Sequence, residues 1–520
     1  GPRNEMEALV AGVWQQVLGL ERVGIHDNFF DLGGHSLLAT QVVTRLRDTL
    51  KVQIPLMLIF ENSTVAGLTA ALEAEVRAGM GVIVPPVAHV PHDGAVPLSF
   101  AQQRLWFLDR LMPDAFSYNT PLAYRITGPL NVEALEKSIS QIVARHEVLR
   151  TTIALVEGEP VQTIAPEVRV KLEVSDLELV PGSECEEVVQ REVEREAQLP
   201  FDLSTGPVIR ARLLRIAPDD YLLVVTLHHI VADGWSIGVF AGDLSAFYGA
   251  AIKGREAALP QLPVQYADYA AWQREWLKGE ELERQLRYWR EQLQGAPTVL
   301  ELPGDKPRPK VASGHGALER FEVGGAVLAG LKSIARQEGA TLFMTLLAAF
   351  AALLSRYSGQ KDLLIGAPIA NRNREELEGL IGFFANTLVL RTRIDDDVTF
   401  RGLVQRAREA CLGAYAHQDV PFEALVDELQ PERDLSRSPL FQVVLTVQNA
   451  PMRPLELSGL TLSSTKVHTD TAKFDLGLNI YEKDSSLAAS FEYNRDILEP
   501  ETIWGLIERF QLMLAGIVGE

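Results

Sequence analysis

The segment His228-His229-Ile230-Val231-Ala232-Asp233-Gly234 sets two imidazoles, a carboxylate and a glycine close together in the chain. An imidazole titrates nearest neutrality of all side chains, so it can take up a proton or orient a nucleophile by a hydrogen bond. The run before it, Tyr221-Leu222-Leu223-Val224-Val225-Thr226-Leu227, is apolar and bounded by polar residues, which predicts a buried strand. Successive strand side chains point to opposite faces. His228 and His229 therefore cannot share one cavity, and one of them is the better catalytic candidate. A second stretch, Asp27-Asn28-Phe29-Phe30-Asp31-Leu32-Gly33-Gly34-His35-Ser36-Leu37, closes a long loop. Taken alone, its Gly-Gly-His-Ser is a flexible turn ending in a serine helix cap.

The elements that must position these residues follow from pattern and size. At 520 residues the chain exceeds one core and predicts two to four domains. Residues 1–4 read as linker residues, Gly1-Pro2 being a protease scar. Residues 5–76 form a small helical unit: Met6, Leu9, Val10, Val13 and Val17 recur at helical spacing. A second helix opens at Ser36, Pro55 opens a third, and Ser63 or Thr64 caps a fourth. Residues 77–93, with a Pro pair and no helical period, read as a linker. Beyond it strands and helices alternate. Helices are predicted over Val132 to Arg145 and Thr341 to Tyr357. Strands are predicted over Tyr221 to His228, Asp362 to Ala367, Leu388 to Ile394 and Phe441 to Val447. So large an α/β region implies two lobes, placed at 94–268 and 269–520.

Composition removes whole classes of function. The net charge of −20 argues against a nucleic-acid-binding surface. The longest apolar segment, Leu342 to Leu354, is too short to span a bilayer and suits a core helix. No secretory signal is visible. Cys185 and Cys411 are far apart, lack metal-ligand spacing and fit a reducing, cytoplasmic location. The chain reads as a monomeric fragment of something larger.

The eleven residues Asp27–Leu37 resemble the attachment motif of peptidyl carrier proteins. The resemblance implies that Ser36 bears 4′-phosphopantetheine, installed by a phosphopantetheinyl transferase. A helix N-terminus carries partial positive charge and free N–H groups that suit a phosphate, and Gly33 and Gly34 let the backbone present Ser36. The histidine segment resembles the HHxxxDG signature of the chloramphenicol-acetyltransferase superfamily, which includes the condensation domains of nonribosomal peptide synthetases. Ser99–Leu108, Arg145–Thr151, Tyr266–Trp272, Ile381–Thr387, His417–Glu423 and Arg433–Leu440 resemble further condensation-domain motifs, in the family's order.

The resemblance implies a four-helix bundle followed by a two-lobed α/β domain of acetyltransferase-like topology, with a tunnel between the lobes. His229 is then the catalytic residue, while His228 faces the core and structures the strand. Asp233 pairs with an arginine, Arg145 first and Arg150 second. Gly234 leaves room for the substrate, Trp235 stands beside it, and Asn386 lines or closes the tunnel from the second lobe. The implied reaction transfers the donor acyl group from the Ser36 arm to an α-amine on a downstream carrier domain, without a metal. His229 either positions that amine or also serves as base. An upstream adenylation domain is the other expected partner. Ser99–Trp106 and His35 resemble the class that accepts an L donor. The rivals fit less well. A CoA-dependent acyltransferase needs no fused carrier, an epimerisation domain continues differently after the glycine, and a heterocyclisation domain replaces the histidines. A degenerate domain that only recruits partners would not need His229, Asp233 and Gly234 intact.

Overall fold

The computed structural model describes residues 1–52, 54–78, 85–92, 94–111, 116, 118–178, 180, 182–432, 434, 436–448, 454–465 and 470–519. The expected linker residues 79–84 and 93, and Arg433 and Leu435 of the last motif, lie outside them.

Four helices come first: α1 (Glu5–Leu18), α2 (Ser36–Leu50), α3 (Met57–Glu61) and α4 (Val65–Ala78). Val10, Val13 and Trp14 of α1 bury against Val42, Val43 and Leu46 of α2, the faces that the spacing predicts. Asn4 caps α1 through Glu7 N–H at 2.7 Å, and Thr64 accepts Gly67 N–H at 3.1 Å to start α4.

The helices of the remainder are α5 (Phe100–Leu111), α6 (Val132–Arg145), α7 (Gly182–Gln198), α8 (Gly234–Ile252), α9 (Tyr266–Trp276) and α10 (Gly279–Leu293). They continue with α11 (Gly325–Gln337), α12 (Leu342–Ser358), α13 (Glu375–Glu378), α14 (Phe400–Ala416), α15 (Phe422–Leu429) and α16 (Pro500–Gly519). Among the strands, β1 (Val96–Pro97), β3 (Thr151–Val156) and β4 (Glu159–Ile164) make a small sheet. A five-stranded sheet takes β2 (Asn119–Thr127), β5 (Leu172–Asp176), β6 (Ile209–Ala217) and β7 (Asp220–His228), completed at its edge by β12 (Thr461–Thr465). A six-stranded sheet combines β8 (Gly316–Val323), β9 (Asp362–Ile369), β10 (Asn386–Arg393), β11 (Val443–Gln448), β13 (Leu476–Glu482) and β14 (Leu487–Asn494).

Each large sheet has its own core. That of the five-stranded sheet lies against α6 and α8, and that of the six-stranded sheet against α11, α12, α14 and α16. The predicted strand at 221–228 is β7, buried along almost its whole length as a sheet centre must be. The lobes are not consecutive stretches of chain, however. A cut after Asp268 runs through α9, and β12 returns from the second half to pair with β2, Leu462 opposite Ile126. Among the described residues no single helix is long and apolar enough to cross a membrane. Together α11 and α12 would be, but they meet at a bend of 106° and α12 is buried core. Both cysteines are free and buried.

Candidate functional site

The strand β7 ends at His228, and a short turn over His229–Val231 leads into α8. His228 is 2% exposed, and its Nδ1 accepts Ile230 N–H at 3.1 Å. It sits among Phe201 and Tyr118, so it holds the turn from inside the core. Burial, followed by its neighbour His229, lowers its pKa to about 3.

His229 points the other way. Its backbone N–H donates to Tyr118 O at 2.7 Å, and its Nδ1 lies 2.6 Å from Ala232 O. A carbonyl can only accept, so Nδ1 carries the proton and Nε2 is left with a lone pair. The Phe383 ring, from the loop before β10, packs over the imidazole at 4.6 Å. Burial first, and then the charge of Lys473, lower the His229 pKa to about 4, so the ring is neutral near pH 7. Lys473 lies 5.0 Å from the Tyr118 ring centroid and is itself lowered to about 8 by burial. A β-carbon added at Gly234 would meet nothing within 4 Å, so open space lies beside the start of α8.

Asp233 is the N-cap of α8 and is 3% exposed. Its Oδ1 accepts Ser236 N–H at 2.9 Å, Ser236 Oγ at 2.8 Å and Arg372 at 3.0 Å, while Oδ2 accepts Phe384 N–H at 3.0 Å. The expected partners Arg145 and Arg150 are thereby corrected. Arg145 binds Asp243 at 3.1 Å, and Arg150 lies 3.2 Å from Glu147. Asp243 follows Asp233 by almost three turns of α8, about 15 Å along its axis, which is why an arginine held there cannot reach the cap. Arg372 comes from beyond the end of β9 and has no exposed surface. It also donates to Leu377 O and Leu380 O, and its guanidinium lies 4.2 Å from the Phe384 ring centroid. The Asp233–Arg372 pair thus fastens the helix behind His229 to the second lobe.

Trp235 donates from Nε1 to Glu378 O at 2.9 Å. Asn386 does not turn its amide to an open tunnel. It donates to Gln418 O and Val420 O, and accepts Phe422 N–H at 3.0 Å, so it fixes the 417–422 loop.

Ser36 is the first residue of α2, and the N-cap is His35 rather than the serine; the His35 side chain makes no capping bond. Gly33 has φ of 95°, and a β-carbon at Gly34 would come within 2.4 Å of Phe29, so this turn requires both glycines. Phe60 is core. The Ser36 hydroxyl is buried without a well-formed hydrogen bond, and the Tyr415 phenol of α14 is the polar group that meets it. A helix N-terminus without a side-chain cap and with a weakly bonded hydroxyl fits the attachment of a phosphate-bearing arm. Around it, Gln41 and Arg45 of α2 bind the Glu378 carboxylate at 2.9 and 3.1 Å, and Asp31 lies 3.5 Å from Arg336. Glu378 therefore meets Trp235 through its backbone and the carrier through its side chain. A cavity of about 610 Å³ lies between α2 and α9, lined by Arg47, Trp272, Trp276 and Arg374; its lining includes neither His229 nor Ser36.

The sequence reading missed Arg372, Phe383, Glu378 and Tyr415. The signal for Arg372 was an arginine closely following an apolar strand, which only its long-range partner makes meaningful.

Residues 92–520 match the family model described as Condensation domain, and residues 8–72 match that of the phosphopantetheine attachment site. Two subunits of linear gramicidin synthase from Brevibacillus parabrevis are 50% and 49% identical to the chain, each over 519 residues. The chain is covered to 99% in each case but spans only 10% and 7% of those proteins, respectively. Among solved structures, the X-domain from teicoplanin biosynthesis aligns with TM-score 0.77 and 30% identity, over 84% of this chain and 98% of that one. A holo four-domain nonribosomal peptide synthetase bound to AMP and glycine aligns with TM-score 0.74 and 25% identity, over 82% of this chain and 33% of that one.

Proposed function

Since the chain belongs to the condensation-domain family and carries a phosphopantetheine carrier domain ahead of it, we propose that it joins the donor held on Ser36 to an acceptor amine beside His229. The family forms peptide bonds in nonribosomal peptide synthesis. The observation that carries the assignment of His229 is its fixed tautomer. With Nδ1 committed to Ala232 O, Nε2 keeps its lone pair as an acceptor beside the Phe383 ring.

The arm, when attached, supplies a terminal thiol that holds the donor as a thioester. His229 Nε2 accepts a hydrogen bond from the incoming amine and aims its lone pair at the acyl carbon. An α-amine has an ordinary pKa of about 7.7–8.0, so a neutral imidazole can hold the uncharged form in place. Holding two reactants together is worth several kcal/mol by itself, and positioning is accordingly the principal role of His229. Asp233 is committed to four hydrogen bonds within the protein, and its role is to hold α8 and the second lobe in register. The test is amide yield from a donor loaded on Ser36 and a panel of acceptor-loaded carriers. No product from the wild type with any acceptor would overturn the reading.

The partners follow from the same reading: an upstream adenylation domain that loads Ser36 and a downstream carrier that brings the amine, within a larger cytoplasmic synthetase. The donor is of L configuration, supported by the likeness of Ser99–Trp106 and of Gly33–Ser36 to that class. Small steric differences in a pocket are often worth about 1–3 kcal/mol, so the L epimer should react about 10-fold or more faster than the D epimer. Equal rates, or a preference for D, would remove the subclass and leave the family reading intact.

A further inference from the structure

Residues 85–92, expected to belong to a loose linker, lie docked on the condensation domain. Pro85 O accepts Trp272 Nε1–H and an Arg374 N–H, both at 2.8 Å, and Val87 is buried. At the end of this stretch His89 and His92 converge on Asp268 of α9. His92 Nε2 lies 2.9 Å from Asp268 Oδ1, and His89 Nδ1 lies 3.2 Å from the same oxygen. The three ligand atoms all fall within 4.8 Å of one another.

The arrangement around His92 does not balance as a neutral site. Its Nδ1 lies 2.6 Å from Glu147 Oε2, so carboxylate oxygens face both ring nitrogens. A neutral imidazole has one N–H. With the proton on Nδ1, the Nε2 lone pair points at an oxygen lone pair, which is repulsive. Either a second proton or a metal ion must sit between them. His89 Nδ1 comes within 3.2 Å of Oδ1 and 3.3 Å of Oδ2, so a second imidazole converges on the same carboxylate, and a cation held there would gain it as a third ligand. The Asp268 carboxylate is already oriented by the backbone around it. Val90 N–H donates to Oδ1 at 2.7 Å and Gln265 N–H to Oδ2 at 2.7 Å, leaving Oδ1 a further lone pair.

We propose that His89 Nδ1, His92 Nε2 and Asp268 Oδ1 form a divalent transition-metal site, best suited to zinc, that pins the linker to α9. Two imidazoles and one carboxylate are a ligand set typical of zinc, with a fourth position left for water. Bonds of about 2.0–2.1 Å in tetrahedral geometry set neighbouring ligand atoms about 3.3 Å apart, so the observed 2.9 and 3.2 Å need to open by only a few tenths of an ångström. Glu147 supplies the outer carboxylate that fixes the tautomer of a metal-bound histidine, and Arg150 at 3.2 Å balances its charge. The His89 side chain is 68% exposed, which gives the ion a route from solvent. The site lies apart from His229 and does not depend on the proposed reaction.

The test is equilibrium dialysis of the untagged chain against zinc after chelator treatment, with metal counted by elemental analysis. One zinc per chain is expected. His89→Ala and His92→Gln should each remove it, and Glu147→Gln should weaken it about 10–100-fold. Cobalt(II) should give the strong visible bands of a four-coordinate site in the wild type and lose them in His89→Ala. Because His89 is exposed, that variant is expected to melt like the metal-free wild type, which separates metal loss from unfolding. No bound zinc in the wild type, or equal binding in His89→Ala, would overturn the proposal and leave a protonated His92 as the occupant.

Discussion

Two helix N-termini lie at the residues proposed to react, and they are built in opposite ways. At α8 the capping residue Asp233 accepts four bonds from the helix, Ser236 and the second lobe. At α2 the capping residue makes no side-chain bond and the first hydroxyl has no well-formed one, meeting the Tyr415 phenol instead. The first terminus is closed and serves as scaffold. The second is open and serves as a point of attachment. Unspent hydrogen-bonding capacity separates reacting groups from supporting ones here better than residue type does. The histidine doublet repeats the lesson, since His228 spends its lone pair on Ile230 N–H while His229 keeps Nε2 free.

The sharpest way to break this contrast is Ser36→Ala. It should abolish phosphopantetheine loading by a transferase and CoA, as read by intact mass, with little change in stability, since Ser36 is not the N-cap of α2. A normal mass shift in the variant would show that the open terminus is not the attachment point.

Asp233→Ala attacks the closed terminus and should lower both stability and amide formation. It strands Arg372 without its counter-charge, a loss of about 3–5 kcal/mol for a buried pair. Urea melts would measure it, and a loss below about 1 kcal/mol would refute the scaffold role.

His229→Ala should cut amide formation by about 10²-fold with little change in melting temperature. The pH dependence refines this. The unfolded chain binds a proton at His229 near pH 6.5, and the folded chain does so only near 4. The unfolded state therefore holds more protons in that window, and stability falls as pH drops from 6.5 towards 4, by at most about 3 kcal/mol from this group. His229→Asn should flatten that slope in part, since His228 and His35 are also held neutral by burial. The wild-type rate should rise with pH as the amine deprotonates, with no inflection near 6.5. An inflection there would mean that the imidazole titrates normally.

The smallest effect is expected from Arg145→Met. His146 remains 2.8 Å from Asp243, so that carboxylate keeps a partner, and the loss should be about 1 kcal/mol with normal activity. A collapse of activity would restore Arg145 to the site.

Much of this was legible in the sequence, for reasons of range. Apolar runs and helical periods report local structure, so β7, α6 and the opening of α2 at Ser36 fall where the pattern puts them. The cap role of Asp233 is local as well. Its partner is not: Arg372 lies 139 residues away, and nothing near either residue marks the pairing. Arg145 was the natural expectation because it ends a helix at a family motif, but only the packing of α6 on α8 shows that it meets Asp243 instead. The linker shows the same limit. Proline and glycine content signals the lack of a helix, yet says nothing of whether His92 finds Asp268.

The covered hydroxyl of Ser36 imposes a timetable. With its hydroxyl buried beside Tyr415 and α2 fastened to Glu378, Ser36 on the proposed reading would be primed before the carrier takes this berth. The contacts that hold the berth are of two kinds: Asp31–Arg336 is exposed and worth about 1 kcal/mol or less, whereas Arg45 and Glu378 are largely buried, so parting them would uncover both charges.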